Sequence, residues 1–239
     1  MYRVAIVAAL EREIKPLVKK WRVKEQNYAG KSFRFFEEGA AVLVCGGIGA
    51  QPARRAAEAV IENYAPTIVY SVGFCGALDP ELKAGEVIQP AQVIDAGDGS
   101  RMNLREGKGI LVSFAAVATP AQKAKLKESF DAQIVDMEAA AVARAAQARG
   151  IEFAAMKAIS DEFDFAFPSM EQFIDSGGAF RQGQFAAFAA LRPWSWPKVR
   201  RLAINSNRAS RALCARLSTS LNRMIADAPE QKLEATHRR

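Results

Sequence analysis

The chain has 239 residues, half of them apolar, with 16 glycines and 10 prolines, a size that makes one large domain or two small ones and supplies a substantial core. Its formal charge of +7 is unevenly placed: Leu191 to Arg239 carries 11 Lys/Arg against Asp227, Glu230 and Glu234, while the first 190 residues carry 22 basic and 23 acidic groups. A single histidine, His237, excludes a chelating His cluster and a Ser-His-Asp or Cys-His triad, and Cys45, Cys75 and Cys214 are too dispersed for a disulfide framework and suit a reducing cytoplasm.

In chain order, Val4–Leu10 is a short apolar run that predicts a buried strand, too short for a signal peptide or a membrane span. EREIKPLVKKW predicts a short helix limited by Pro16. Phe33–Glu37 and Ala41–Val44 read as two strands around a Glu-Gly turn, and GGIGA, Gly46–Ala50, opens a helix over Pro52–Tyr64. Thr67–Val72 predicts a strand ended by GFCGAL, and Glu86–Ile94 another, followed by a loop over Asp95–Gly109. Ile110–Val117 reads as a strand and Pro120–Phe130 as a helix capped by Thr119.

Asp136–Arg149, DMEAAAVARAAQAR, is the clearest helix, stopped by Gly150. Phe153–Ile159 predicts a strand running into SDEFD. A helical region spans Met170–Ala190, two prolines in RPWSWP interrupt it, Leu202–Ile225 is a last amphipathic helix, and the final dozen residues are expected to fray. Alternating strands and helices make this an α/β chain: one domain, a mixed twisted central β-sheet flanked by helices. The divisions are residues 1–190 for the body and 191–239 for a basic C-terminal helical extension.

GGIGAQPA lies between a predicted strand and a helix. It serves either as a tight turn or as a set of backbone amides, Gly47 and Gly49 among them, that cradle an anion or a substrate hydroxyl. It matches neither a dinucleotide fingerprint nor a P-loop. Three acids stand where α/β sheets place function. Glu13 follows the first strand, Glu138 sits beside Met137 at the start of the Ala-rich helix, and Asp161 follows FAAMKAIS. Each has a bland alternative, as a solvated helix start, a favourable first-turn acid or an Asx-type cap. As a set they fit acid–base cleavage without histidine, which needs placed carboxyls of different pKa.

IVAALEREI, GGIGAQPA, SVGFCGAL and VDMEAAAVARAAQARGIEFAAMKAISD, in this order, resemble the nucleoside phosphorylase superfamily over roughly Met1–Phe188, and within it the methylthioadenosine/S-adenosylhomocysteine nucleosidases. AALRPWSWPKVRRLAINSNRASRALCARL resembles a narrower hopanoid-associated phosphorylase branch, similar to an enzyme that removes adenine from adenosylhopane. The resemblance implies that Glu13 orients the attacking water, that Met137 and Glu138 hold the ribose, and that Asp161, with Ser160 beside it, protonates the departing purine. It also implies a base-side wall formed by the 110–118 strand, around Val112 and Ser113, a homo-oligomer, no metal and no cofactor, phosphate being a co-substrate only if the bond is cleaved phosphorolytically. Phe74 replaces a small hydroxyl residue of the family, Ser71 stands where many bacterial phosphorylases carry a phosphate-binding Arg, and Ala115 replaces an acid of the purine-side loop.

These readings favour hydrolysis of the N-glycosidic bond of an adenosine derivative; phosphorolysis and a non-catalytic nucleoside-binding protein are the alternatives. The extension sets Trp194, Trp196, Val199, Leu202, Leu213 and Leu217 among arginines. It reads as a helix docked on the body or as a peripheral contact with an anionic membrane through 191–225 at its inner face. No nucleic-acid signature is present.

Overall fold

The computed structural model describes residues 3–166, 171–175, 177–181, 183–185 and 191–226. They form a single α/β domain around a mixed, twisted sheet of 11 strands. The centre of the sheet is parallel. β1 (Val4–Ala8) lies between β4 (Ala41–Cys45) and β5 (Ile68–Ala77), and all five of its residues are buried. Burial on both faces is what a continuous apolar run such as VAIVA predicts. β2 (Arg22–Tyr28) and β3 (Lys31–Glu38) extend one side as an antiparallel hairpin. Its turn residues, Ala29 and Gly30, both take positive φ, as a two-residue turn matched to strand twist requires.

β5 is the pivot of the sheet. It pairs with β1 over Ile68–Ser71, with β10 (Ile134–Asp136) over Gly76–Ala77, and in parallel with β11 (Glu152–Asp161) along its length. Beyond β10 lie β9 (Ile110–Ser113), β7 (Gln92–Asp95) and β8 (Arg101–Asn103), while the short β6 (Val87–Ile88) pairs with β11.

Several boundaries differ from the sequence expectations, each for a local reason. β2 is almost wholly exposed, so its sequence carries no apolar alternation to announce it. The glycines of GFCGAL lie within β5 rather than at its end, because side chains from other elements need the space they leave. Pro90 falls in the predicted strand Glu86–Ile94, which divides into β6 and β7. The predicted loop after Asp95 contains β8, and the strand from Ile110 stops at Ser113. The expected helix over Met170–Ala190 lies partly outside the described residues; the described part holds a 3₁₀ turn at Glu171–Phe173 and a bridge between Ile174 and Phe180. The last 13 residues, with the expected fraying and His237, lie outside the described residues.

Helices cover both faces. α2 (Ala50–Tyr64) and α4 (Ala139–Gln147) meet one face through Ala53, Ala56, Ala57, Val142 and Ala146, and the absence of long side chains lets them approach the sheet closely. α1 (Glu11–Val18) and α5 (Trp196–Ala226) cover the other face. Ala209, Leu213, Leu217 and Leu221 of α5 enter one core cluster with Ile6, Leu43, Tyr70 and Met156. The four-residue spacing is one face of a helix, with Arg201, Arg208, Arg211 and Arg216 exposed on the other sides. Truncating one of these buried leucines to alanine would cost about 2–5 kcal/mol.

α5 also secures α1 by hydrogen bonds. Pro16 lacks the N–H that would bond the Arg12 carbonyl four residues back. Ser210 Oγ donates there at 3.3 Å and to the Glu13 carbonyl at 2.9 Å, and Cys214 Sγ donates to the same Glu13 oxygen at 3.6 Å.

Candidate active site

A cavity of about 140 Å³ opens at the ends of β1, β5 and β11, where open α/β sheets gather ligands. Glu13, Phe74, Met137, Glu138, Ser160 and Asp161 all border it. Gly47, Gly49, Val112 and Ser113 do not line it, although the Gly49 N–H bonds the Glu138 carboxylate.

Glu13 is brought in by α1, of which it is the third residue. Its carboxylate accepts from the Leu10 backbone N–H at 3.4 Å, an arrangement that fixes the helix start. Burial raises its pKa, against the opposing charges of Lys157 and Arg12 and the N–H groups of Leu10 and Ala9. A Cβ on Gly73 would stand 2.8 Å from Glu13 Oε2; glycine in mid-strand is what admits this carboxylate. Gly73→Ala is expected to displace Glu13 and lower turnover at least about 10-fold with the fold intact, since misplacement by about 1 Å can cost about 10²-fold. Steady-state kinetics alongside a thermal melt check this, and unchanged kcat would show that the close approach is unimportant.

Glu138 is the N-cap of α4, not a first-turn residue. Gly49, at φ +98°, directs its N–H to Glu138 Oε1 at 2.8 Å, and the Met137 N–H reaches Oε2 at 3.2 Å. Burial, with Asp136 adding to it, raises the Glu138 pKa to about 7, while Lys157 and the Gly49 N–H oppose the rise.

Asp161 ends β11 at an irregularity. Ile159 pairs with Cys75 and Asp161 with Gly76, so Ser160 is the extra residue. Such a bulge re-aims side chains, and here both Ser160 and Asp161 reach the cavity. Ser160 Oγ lies 2.8 Å from Asp161 Oδ1, and Lys123 Nζ lies 2.5 Å from Oδ2. Burial raises the Asp161 pKa, against the pull of Lys123 and Ser160.

Two lysines, neither singled out by sequence, complete the electrostatics. Lys123 on α3 (Pro120–Phe130) and Lys157 in β11 are each 1% exposed. Lys157 Nζ is 2.8 Å from Asp136 Oδ2 and donates to Ser71 Oγ at 3.0 Å. Ser113 Oγ donates to Asp136 Oδ1 at 2.6 Å and accepts the Ala140 N–H, while the Ala139 N–H reaches Asp136 Oδ2. Burial opposes the Lys157 charge, but Asp136, Glu138 and Glu13 together outweigh it and raise its pKa. This network gives Ser113 a supporting place beneath the cavity. Val112 packs with Ile94, Leu126 and Val135 in the core, and within the 110–118 segment it is Ala116, Val117 and Ala118 that line the cavity. Lys157 stands alone in the apolar run FAAMKAIS, a signal that could have found it. Lys123 is one of three lysines in PAQKAKLKESF, and no spacing rule selects it.

Four amides of the glycine turn are engaged internally. Gly46 N–H bonds the Ala8 carbonyl, Gly47 N–H that of Ala9 and Ile48 N–H that of Gly178, and Gly49 N–H is held by Glu138. A Cβ on Gly47 would stand 2.8 Å from the Gly177 oxygen, so this glycine serves packing between two loops.

The mixed sheet brings Glu13, Glu138, Asp161 and Lys123 to one cavity, an arrangement suited to acid–base chemistry. The chain belongs to the Phosphorylase superfamily, whose family model matches residues 3–117 and 98–186. A 5′-methylthioadenosine/S-adenosylhomocysteine nucleosidase from Marinomonas sp. (strain MWYL1) is 32% identical over 95 residues, which cover 38% of this chain and 41% of that relative. An aminodeoxyfutalosine nucleosidase from Campylobacter jejuni is 23% identical over 69% of this chain and 90% of its own length. Among solved structures, a futalosine hydrolase of Helicobacter pylori superposes with a TM-score of 0.69 at 16% identity, covering 93% of this chain and 98% of that one. An Arabidopsis thaliana 5′-methylthioadenosine nucleosidase gives a TM-score of 0.68 at 20% identity, covering 95% and 97%. These two likenesses establish the fold.

Proposed function

We propose that this protein cleaves the N-glycosidic bond of a 5′-substituted adenosine by hydrolysis, releasing adenine. Breaking the C1′–N9 bond builds positive charge on the ribose and negative charge on the base. A carboxylate near C1′ and an acid at the purine therefore both act most strongly in the transition state. In this reading Glu13 orients and deprotonates the attacking water, Glu138 and Met137 hold the ribose, and Asp161 with Ser160 serves the leaving base, with Phe74 against the sugar.

The observation that carries water over phosphate is the state of the glycine turn. The N–H groups of Gly46, Gly47, Ile48 and Gly49 are all engaged within the protein, so the turn offers an incoming phosphate none of these amides. Ser71 adds no cation there, its hydroxyl being buried against Lys157.

We propose further that the 5′-substituent is apolar, in keeping with the hopanoid-associated branch that the sequence resembles. Ile174, Phe180 and Leu202 border the cavity. Leu202 lies on the same helix as Trp196, close in sequence to Trp194, and these tryptophans are 55% and 75% exposed. Together with Arg192, Lys198 and Arg200 they suit contact with an anionic bilayer.

The test is adenine release from methylthioadenosine, aminodeoxyfutalosine and an adenosine bearing a long 5′-alkyl chain, the last also presented in anionic vesicles. Each is run with and without phosphate, for the native chain and Glu13→Gln. Free ribosyl sugar, no dependence on phosphate, a preference for the alkyl substrate and a fall of about 10²-fold or more for Glu13→Gln are expected. Strict dependence on phosphate with a sugar 1-phosphate product would replace hydrolysis by phosphorolysis. No release from any of the three would favour a non-catalytic nucleoside-binding protein.

A further inference from the structure

We propose that Lys123 is the proton source for the departing purine: its ammonium supplies, through Asp161, the proton that neutralises the base. This rests on the hydrolytic reading above and assigns a role to a residue outside the motifs that led to it.

The geometry at Asp161 places a donor on each carboxylate oxygen. Ser160 Oγ lies 2.8 Å from Oδ1 and Lys123 Nζ 2.5 Å from Oδ2. A carboxylate accepts both bonds. A neutral carboxyl would have to donate to Ser160 Oγ, turning that hydroxyl to its longer contact with the Cys75 carbonyl at 3.3 Å. The two shorter contacts therefore favour the ionised form, which has no proton of its own to give. The nearest exchangeable proton belongs to Lys123, whose Nζ also donates to the Glu162 carbonyl at 2.7 Å. Lys123 itself borders the cavity.

The seat is built for this pair. A Cβ on Gly76 would stand 2.7 Å from Asp161 Oδ2 and 3.2 Å from Lys123 Cε, so glycine in β5 gives both side chains their room. The surrounding groups leave the lysine to Asp161. Just after β11, Glu162 turns its carboxylate to Arg201 of α5, which also reaches Asp164. On α3, Lys127 pairs with Asp79 at 3.8 Å. From β10, Asp136 is held by Lys157, and from β5 the Cys75 thiol is kept in its neutral form chiefly by burial. Burial raises the affinity of Asp161 for a proton, which favours transfer to it across the short contact.

The step balances. As the C1′–N9 bond breaks, its electron pair passes to the base. A proton moves from Lys123 Nζ to the Asp161 carboxylate, and the carboxyl passes a proton to the purine, leaving neutral adenine, a carboxylate and a neutral amine. The attacking water bonds to C1′ and gives its proton through Glu13 to solvent, and solvent restores the ammonium.

The experiment compares the native chain with Lys123→Arg and Lys123→Met, using whichever substrate the native chain turns over, with kcat and KM measured from pH 5 to 10 and thermal melts to establish folding. Arginine preserves the positive charge and does not release its proton at these pH values. Lys123→Arg is therefore expected to lower kcat about 10²-fold across the range with KM within about threefold. Lys123→Met leaves Asp161 to carry its own proton by burial alone, so its activity is expected to survive at acid pH and its alkaline limb to fall at least about one pH unit earlier than that of the native chain. Near-native kcat in a folded Lys123→Arg variant, or an unshifted alkaline limb in Lys123→Met, would overturn the role. If Lys123→Met fails to fold, the arginine variant decides. Absence of turnover by the native chain removes the hydrolytic reading and this inference together, whereas turnover that is indifferent to Lys123→Arg removes the inference alone.

Discussion

Asp161→Asn is expected to reduce adenine release by about 10²–10⁴-fold, the range of a lost general acid, with the chain still folded at the assay temperature. The amide retains a carbonyl oxygen for one of the two donors but cannot relay a proton. It also leaves Lys123 buried at 1% exposure without its carboxylate, so a loss of stability of up to about 3–5 kcal/mol accompanies the kinetic loss and is read separately in a thermal melt. Turnover close to native in a folded variant would remove Asp161 from the chemistry. The kinetic split is informative: a role confined to base binding would raise KM, whereas a proton-transfer role lowers kcat.

Lys157→Met is expected to have the largest effect on stability. The native ammonium lies 2.8 Å from Asp136, both side chains are within 1% of full burial, and it also opposes the raised values of Glu13 and Glu138. Removing one member of a buried ion pair costs about 3–5 kcal/mol, which for a domain of this size lowers the melting temperature by about 6–20 °C. The pH dependence has a definite sign. Carboxyls raised by burial bind protons more tightly folded than unfolded, so their contribution is full below the unfolded value and is lost as pH rises through the folded one. For Glu138 that window runs from the usual 4.5 to about 7. Without Lys157 these carboxyls rise further, and the variant's deficit should be greater at pH 8 than at pH 5 in urea unfolding. Adding Asp136→Asn should recover part of the loss, because the amide can accept from Ala139 and donate to Ser113 without a buried charge. A single variant as stable as the native chain at both pH values would show that this network is not structural.

Much of the fold is readable from local pattern. Val4–Ala8, Ala41–Cys45 and the run before Asp161 are apolar on both faces, as strands inside a parallel region must be. Thr119, Pro120 and Gln122 mark the start of α3 by capping chemistry, with the Thr119 N–H 2.9 Å from Gln122 Oε1. Edge strands escape such reading: β2 is exposed on both faces and β8 has only three residues, so both are strands because a neighbour offers a ladder. GFCGAL misleads for the converse reason. Its glycines suggest a terminus, yet Gly73 and Gly76 lie inside β5 to admit Glu13, Asp161 and Lys123.

The same division runs through the site. Glu13, Met137, Glu138, Ser160 and Asp161 stand in recognisable motifs, and the structure brings all five to one cavity. Their charge states belong to no motif. Burial acts on each carboxyl by an amount set by what packs above it, and Lys123 and Lys157 arrive from α3 and β11, 38 residues and four residues away from Asp161 in sequence. The basic C-terminal segment shows the point most plainly. Its charge and its tryptophans are evident in the sequence, but its place is set by Leu213, Leu217 and Leu221 in the core and by Ser210 on the Glu13 carbonyl.

By itself, then, the sequence determined the alternation of strands and helices, the family and the carboxylates, because those depend on residue type and spacing along the chain. Only the tertiary structure decided which lysines neutralise those carboxylates, that the N–H groups of Gly46 to Gly49 are engaged within the protein, and that the last helix holds the first one in place. These depend on burial and on contacts between residues distant in sequence, where low dielectric makes a single buried ammonium count for more than all the exposed arginines of the tail.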